Sequence, residues 1–120
     1  MDRSVRTLWV KALQSGKYKQ GRQQFVIVHE DGSVEMDALG VLCEVANLGK
    51  WEKPLVPGVR PKRIRRVFSD GKDHSFLTPE ALKKVGLTHE EQLQVSYLND
   101  GWMRDPMTFD DLSLWIVKQL

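Results

Sequence analysis

The residues best suited to chemistry are one cysteine and three histidines. Cys43, the cysteine, lies in the apolar run Leu39-Gly40-Val41-Leu42-Cys43-Glu44. A nucleophilic thiol needs a nearby base and a partly exposed, electropositive setting. A free cysteine on an apolar helix face usually packs as a small hydrophobic residue instead. The sequence therefore predicts that Cys43 belongs to the core and that the chain has no catalytic thiol.

The histidines do not form a recognised metal-binding motif, because His29, His74 and His89 lack the spacing of paired metal ligands. His29 and His74 flank predicted hairpin turns. They could meet across a small sheet with Asp31 or Asp73 and form a metal or acid–base site. Isolated surface histidines beside turns explain the same pattern, and we favour this interpretation. We therefore expect no metal, no cofactor and no catalytic residue.

A basic tract occupies residues 60–66, with the sequence RPKRIRR. On a strand, alternate side chains face opposite ways, so Arg63 and Arg65 would share one face. Neighbouring guanidinium groups bind phosphates well. The tract therefore predicts a phosphate or nucleic-acid site made of Arg60, Lys62, Arg63, Arg65 and Arg66. The alternative is a solvated edge strand whose charges oppose aggregation.

Aromatic residues in loops are the second candidate for binding. Trp9 and Trp115 fall on predicted helices, whereas Trp51 and Trp102 fall in segments rich in proline, glycine or aspartate. Tryptophan is enriched at the energetic centres of binding sites, and loops often carry function. We predict a partner-binding or ligand-binding site formed by Trp51, Trp102 and Tyr18. The alternative is that the loop indoles fold back onto the core.

Composition indicates one ordinary globular domain. The chain has 120 residues, 41% of them hydrophobic, with a formal net charge of +2. No apolar run reaches the roughly 18 residues of a membrane helix, and the N-terminus resembles no signal peptide. A single cysteine excludes an internal disulfide. We expect a cytoplasmic protein of one domain, spanning residues 1–120, whose stability comes from packing.

The charges are unevenly distributed. Basic residues dominate residues 1–22 and 60–66, whereas acidic residues cluster in residues 30–44 and 90–111. Such segregation can create a positive face that attracts phosphates or an acidic partner. The alternative is that the two signs pair within the fold.

The elements that must position these residues follow from periodicity and caps. Helices are expected from Asp2 or Ser4 to Gly16, from Asp37 to Asn47 or Leu48, and after Thr78, Thr88 and Thr108. Strands are expected at 25–28 and 33–36 around Asp31-Gly32, and at 64–68 and 74–77 around Asp70-Gly71. This pattern predicts an α+β, helix-rich domain with a small antiparallel sheet built from two hairpins.

Three blocks of the sequence resemble a family of small proteins encoded by tailed bacteriophages and prophages. They are LWVKALQSGKYKQ at 8–20, LGVLCE at 39–44, and Leu98-Asn99-Asp100 followed by Met107-Thr108-Phe109. The resemblance implies no established activity. The chain also differs from the family pattern, because Asp37-Ala38 stands where members often carry two cysteines. Thiol chemistry is therefore not expected there.

Three functions remain in view. The leading hypothesis is a non-enzymatic phage accessory protein that binds a host protein or a small ligand and inhibits a host defence or a host enzyme. The loop tryptophans of a small domain without catalytic motifs suit the binding role, whereas the inhibition rests on the association with phages rather than on particular residues. The second is a nucleic-acid-binding module that uses the basic tract. The third is a small hydrolase that uses His29, His74 and Asp73.

Overall fold

The computed structural model describes all residues, 1–120, and has an α+β fold with five helices and two small sheets. The elements in chain order are α1 (Arg3–Gln14), β1 (Lys19–Gln20), β2 (Val26–Val28), β3 (Val34–Met36), α2 (Ala38–Val45), β4 (Lys50–Trp51), β5 (Lys62–Arg63), β6 (Arg66–Phe68), β7 (Gly71–Asp73), α3 (Pro79–Val85), α4 (His89–Asp100) and α5 (Phe109–Gln119). The predicted α+β class and single domain are confirmed.

The helix boundaries follow the predicted caps. Asp2, Asp37, Thr78, Thr88 and Thr108 each accept a hydrogen bond from a backbone N–H in the first turn of their helix. Helix α4 ends at Asp100, with Gly101 as its C-cap. Helix α2 is shorter than expected and ends at Val45.

The two hairpins lie in different sheets rather than in one. Strands β1-β3-β2-β5 form the larger sheet, in which β1 and β3 are parallel, and β4-β6-β7 form the smaller sheet. The predicted strand 64–68 is shortened to β6, because the chain leaves the larger sheet after Arg63 and enters the smaller one only at Arg66. Buried Ile64 lies at this crossing.

Both turn predictions were wrong in detail. Val28 pairs with Val34, so the first connection is longer than the expected two-residue Asp31-Gly32 turn. In the second hairpin Phe68 pairs with Gly71, which makes residues 69 and 70 the turn and residues 71–73 the returning strand. The predicted strand at 74–77 is therefore absent, and those residues form a loop.

Helix α2 lies at the centre of the core, with six consecutive buried residues from Ala38 to Cys43. A Cβ atom built on Gly40 would lie 2.0 Å from the carbonyl oxygen of Phe25. Glycine is therefore required where α2 crosses the chain just before β2. The indole of Trp9 reaches the same helix and donates a hydrogen bond to the carbonyl of Ala38 at 2.9 Å.

Candidate functional site

A surface groove of about 390 Å³ lies at the C-terminal end of α4. One wall is the end of α4 and the residues that follow it, and the other is the loop after β7 with the segment before β2. The lining includes Gln23, Ser75, Phe76, Ser96, Tyr97, Asp100 and Trp102. The groove thus brings three aromatic side chains and one carboxylate to a single solvent-exposed position.

The end of α4 fixes the position of Trp102. Gly101 ends the helix in the left-handed region at φ +81°, and the N–H groups of Gly101 and Trp102 both donate to the carbonyl of Tyr97. The Trp102 ring then packs on the Tyr97 ring, with centroids 4.8 Å apart and planes inclined by 35°. Trp102 keeps 60% of its surface exposed and Tyr97 keeps 40%. Both rings are therefore ordered and open to solvent.

Asp100 connects the two walls of the groove. Its Oδ1 accepts hydrogen bonds from the backbone N–H of Gln23 at 2.9 Å and from Asn99 Nδ2 at 3.0 Å. The Ser96 hydroxyl donates to Oδ2 over a longer distance of 3.4 Å. Since Gln23 adopts a positive φ of 67°, this carboxylate holds a strained loop against α4.

The opposite wall is anchored by side-chain hydrogen bonds to the backbone. Asp73 Oδ1 accepts from the N–H groups of Ser75 and Phe76, at 2.8 and 3.2 Å. The hydroxyl of Ser75 donates to the carbonyl of Gln23 at 2.8 Å. The groove is therefore built on fixed elements at both sides, which lowers the entropy cost of binding.

A buried asparagine supports the groove from below. Asn99 is 1% exposed, and its Oδ1 accepts from the Ala38 N–H at 3.2 Å and from Gln20 Nε2 at 3.1 Å. Its Nδ2 donates to the carbonyl of Gly21 at 2.9 Å, in addition to Asp100. All of the amide's polar atoms are thereby satisfied inside the protein.

Of the three predicted aromatic binding residues, only Trp102 lines this groove. Trp51 lies elsewhere, with its half-buried ring beneath the guanidinium carbon of Arg66 at 4.5 Å and its Nε1 buried without a hydrogen-bond partner. Tyr18 is also half-buried and packs against the core. Tyr97 and Phe76 were missed because each stands alone in its segment, and only the fold brings them to Trp102.

The structure removes Arg66 from the predicted phosphate-binding set. Arg66 is 4% exposed and donates to the carbonyls of Leu48, Gly49 and Cys43 and to Glu44 Oε1. These bonds satisfy carbonyl groups at and beyond the end of α2. The side chain points inward, as does that of Ile64 two residues earlier, so this arginine is structural.

Arg65 is also occupied. Its Nε and one terminal nitrogen each donate to a carboxylate oxygen of Glu52 at 2.8 Å, and Lys72 Nζ reaches the same carboxylate at 2.9 Å. The hydrogen bonds from Arg65 and then from Lys72 lower the pKa of Glu52 to about 2. This charge cluster joins β4 to the second hairpin and neutralises part of the basic tract.

Three basic residues remain on the surface. Arg60 and Arg63 are exposed and make no ion pair, while Lys62 is half-buried and donates to the carbonyl of Val56 at 3.2 Å. Strand β5, which carries Lys62 and Arg63, pairs with β2 next to the acidic hairpin 30–35. The positive patch is therefore smaller than the sequence predicted and has acidic neighbours.

The histidines His29 and His74 lie at opposite ends of β2. His29 Nε2 lies 2.5 Å from Glu35 Oε1, whereas the carbonyl of His74 accepts from the N–H of Phe25 at the other end of the strand. The separation along the strand is roughly 13 Å, from its rise per residue. The proposed His29–His74 site therefore does not form.

Cys43 is fully buried in the core, as predicted. Burial raises the pKa of its thiol well above the ordinary value, more than the nearby Arg66 lowers it. The thiolate is therefore strongly disfavoured at neutral pH. No group of three or more His, Cys, Asp or Glu residues has the geometry to hold a metal ion.

The fold and the groove define a compact α+β domain that presents an aromatic, carboxylate-containing surface groove. The whole chain, residues 1–120, matches the model of the domain of unknown function DUF8296, and the protein belongs to that family. No curated protein and no solved structure matches the chain. None of the five helices has the length and apolar character needed to cross a membrane.

Proposed function

We propose that this protein works by binding a partner protein through the Trp102 groove and carries out no reaction of its own. The observation that carries the proposal is the exposed Tyr97–Trp102 pair, held beside Asp100 on a hydrogen-bonded scaffold. Large aromatic rings are costly to expose and dominate the energetics of protein interfaces. A groove of this volume also admits a small ligand, which is the alternative occupant.

The resemblance to tailed-phage proteins supplies the setting for this proposal. A phage accessory protein would act in the cytoplasm of the bacterial host, and its partner would be a host protein. Inhibition of a host defence or of a host enzyme is the consequence we propose. The binding surface would then be the functional part of the molecule, and the core around α2 would hold it in shape.

Capture from a bacterial lysate with matched variants tests the proposal. Trp102→Ala removes the exposed ring, while Val59→Ala alters an apolar residue that is 91% exposed and does not line the groove. We expect the wild type and Val59→Ala to capture the same protein and Trp102→Ala to lose it. The interaction is then measured with the purified partner, where we expect at least about a 30-fold loss of affinity, as for a hot-spot residue.

Two results would contradict the proposal. One is equal affinity of the wild type and Trp102→Ala for the purified partner. The other is the absence of both a captured protein and a small ligand that raises the melting temperature of the wild type but not of Trp102→Ala. Circular dichroism of Trp102→Ala checks that the fold is intact, and we expect it to be, because 60% of Trp102 is exposed.

Nucleic-acid binding is the second candidate, because Arg60 and Arg63 are exposed and free of ion pairs. It predicts a salt-sensitive gel shift with DNA or RNA that weakens in Arg60→Ala/Arg63→Ala. If no shift occurs at low salt, this second candidate is excluded.

A further inference from the structure

The groove beside Trp102 is lined by no lysine or arginine, although the chain contains 18 of these residues. Asp100 is the one charged side chain in its wall. Two donors occupy its Oδ1, whereas its Oδ2 receives only the 3.4 Å contact from the Ser96 hydroxyl. This oxygen therefore keeps acceptor capacity for a further hydrogen bond.

The end of α4 adds negative potential at the same place. Carbonyl groups at a helix C-terminus carry a partial negative charge, which favours a nearby cation. The last turn of α4 contains no basic side chain that would offset this charge. The carboxylate of Asp100 and the helix end thus both favour a positively charged ligand in the groove.

The aromatic rings favour the same kind of ligand. The faces of tryptophan, tyrosine and phenylalanine attract cations, and a planar guanidinium also stacks on them. Tyr97 and Trp102 form one packed pair in the wall, and Phe76 contributes a third ring. An arginine side chain satisfies both parts of the groove, because it can stack on a ring while its N–H groups bond a carboxylate.

The protein already contains this arrangement elsewhere. Arg66 stacks over the ring of Trp51 at 4.5 Å and donates to the carboxylate of Glu44 at 2.7 Å. There the arginine belongs to the chain itself and is buried. In the groove, Trp102 and Asp100 provide a ring and a carboxylate without an arginine of the chain.

We propose that the groove binds an arginine side chain of the partner protein, with the guanidinium stacked on the aromatic rings and bonded to Asp100. This inference rests on the proposed function and makes it more specific, because it names the chemical group recognised. The partner is then expected to present an exposed arginine on a loop or an extended segment.

Nuclear magnetic resonance with two matched peptides tests the inference. The probes are a capped Gly-Gly-Arg-Gly-Gly peptide and its counterpart with citrulline, which has the shape of arginine but no charge. The readout is the indole N–H signal of Trp102 in the ¹⁵N-labelled full chain. We expect saturable shifts with the arginine peptide and at least about tenfold weaker binding of the citrulline peptide, a difference of about 1.4 kcal/mol.

Asp100→Asn is the decisive variant. An asparagine Oδ1 can keep the hydrogen bonds from Gln23 and Asn99, so the fold is retained while the charge is removed. We expect at least about fivefold weaker binding of the arginine peptide. Asp105→Asn removes the same charge from an exposed residue that does not line the groove, and it should leave peptide binding unchanged.

The inference is overturned if the citrulline peptide binds as well as the arginine peptide, or if Asp100→Asn binds the arginine peptide like the wild type. It is also overturned if the arginine peptide causes no saturable shift up to about 10 mM, beyond the millimolar range of weak contacts. A purified partner that is lost by Trp102→Ala but retained by Asp100→Asn would leave the proposed function standing and exclude arginine recognition.

Discussion

The side chains of Gln20 and Asn99, 79 residues apart in sequence, are joined by a hydrogen bond of 3.1 Å from Nε2 to Oδ1. Gln20 also donates to the carbonyl of Met107, and Asn99 also accepts from the N–H of Ala38. Three separated sequence blocks thus meet at one buried polar cluster. Asn99 is therefore explained by architecture, whereas Trp102, three residues further along the chain, is exposed.

Replacing Asn99 tests the importance of this cluster. Asn99→Ala leaves the Ala38 N–H and the Gly21 carbonyl without their partner and removes one of the two acceptors of the Gln20 amide. Since each buried group left unsatisfied costs about 1–3 kcal/mol, we expect a loss of about 3 kcal/mol or more in the free energy of unfolding. Urea denaturation followed by circular dichroism measures it.

Gln94→Ala on the same helix is the control, because Gln94 is exposed and forms no hydrogen bond through its side chain. Gln94→Ala should change the free energy of unfolding by no more than about 0.5 kcal/mol. If Asn99→Ala were as stable as Gln94→Ala, the cluster would not be a structural determinant.

Gly40 should tolerate no side chain. In Gly40→Ala the new methyl group would lie 2.0 Å from the Phe25 carbonyl oxygen, and neither backbone can move without opening the core. Alanine normally stabilises a helix by about 1 kcal/mol relative to glycine. A net loss of stability in Gly40→Ala would therefore show that the clash with the Phe25 carbonyl outweighs this preference. We expect a loss of about 3 kcal/mol or more in the free energy of unfolding, measured by thermal and urea denaturation.

Gly58→Ala provides a matched control. A Cβ at Gly58 would meet the Cε atom of Lys62 at 2.5 Å, but this is the flexible end of a side chain that can move aside. We expect Gly58→Ala to change the free energy of unfolding by no more than about 1 kcal/mol. Equal effects of the two glycine substitutions would contradict the close-packing explanation.

Arg66 and Arg63 belong to one basic tract but should behave differently. Arg66→Ala removes a buried guanidinium that donates to three carbonyl groups and to Glu44, whose side chain is one-third exposed, and we expect a loss of about 2–3 kcal/mol in the free energy of unfolding. Arg63→Ala removes an exposed side chain without an ion pair and should change stability by less than about 0.5 kcal/mol. Urea denaturation curves of both variants measure the difference. Equal stability of Arg66→Ala and Arg63→Ala would contradict a structural role for Arg66.

The parts predicted well from the sequence are those governed by local chemistry. Caps such as Asp37 and Thr88 act within one turn of their own helix, so a few neighbouring residues specify them. These features require no knowledge of which distant segments meet.

The features that could not be predicted depend on contacts between distant segments. The sequence of residues 60–66 is typical of one continuous strand. In the structure the chain passes from one sheet to the other within this tract, and there Arg65 pairs with Glu52 and Arg66 with Glu44. The two loop tryptophans look equivalent in sequence. Trp51 is half-buried because it packs against the core and lies under Arg66, whereas Trp102 follows a helix end and is exposed.

Asp37 should make stability depend on pH. Burial raises the pKa of this carboxyl well above its ordinary value, and the nearby Asp100 charge acts in the same direction, against weaker opposing hydrogen bonds from the N–H groups of Gly40 and Leu39. The folded state therefore holds the proton at pH values where the unfolded state has released it. This contribution to stability is fully present below the pKa of the carboxyl in the unfolded state, near 4, and is lost as the pH rises through its pKa in the folded state. Its size is about 1.4 kcal/mol for each unit by which the two pKa values differ.

Asp37→Asn removes this dependence, since the amide oxygen can still accept from the Gly40 N–H at the helix cap. We expect the variant to be more stable than the wild type at pH 7, with an advantage that declines as the pH falls and is smallest below about pH 4, where the wild-type carboxyl is protonated in both states. Urea denaturation at a series of pH values measures the difference. Asp110→Asn, at an exposed residue, should give a curve that parallels the wild type. A parallel curve for Asp37→Asn as well would show that the buried carboxyl is not the cause.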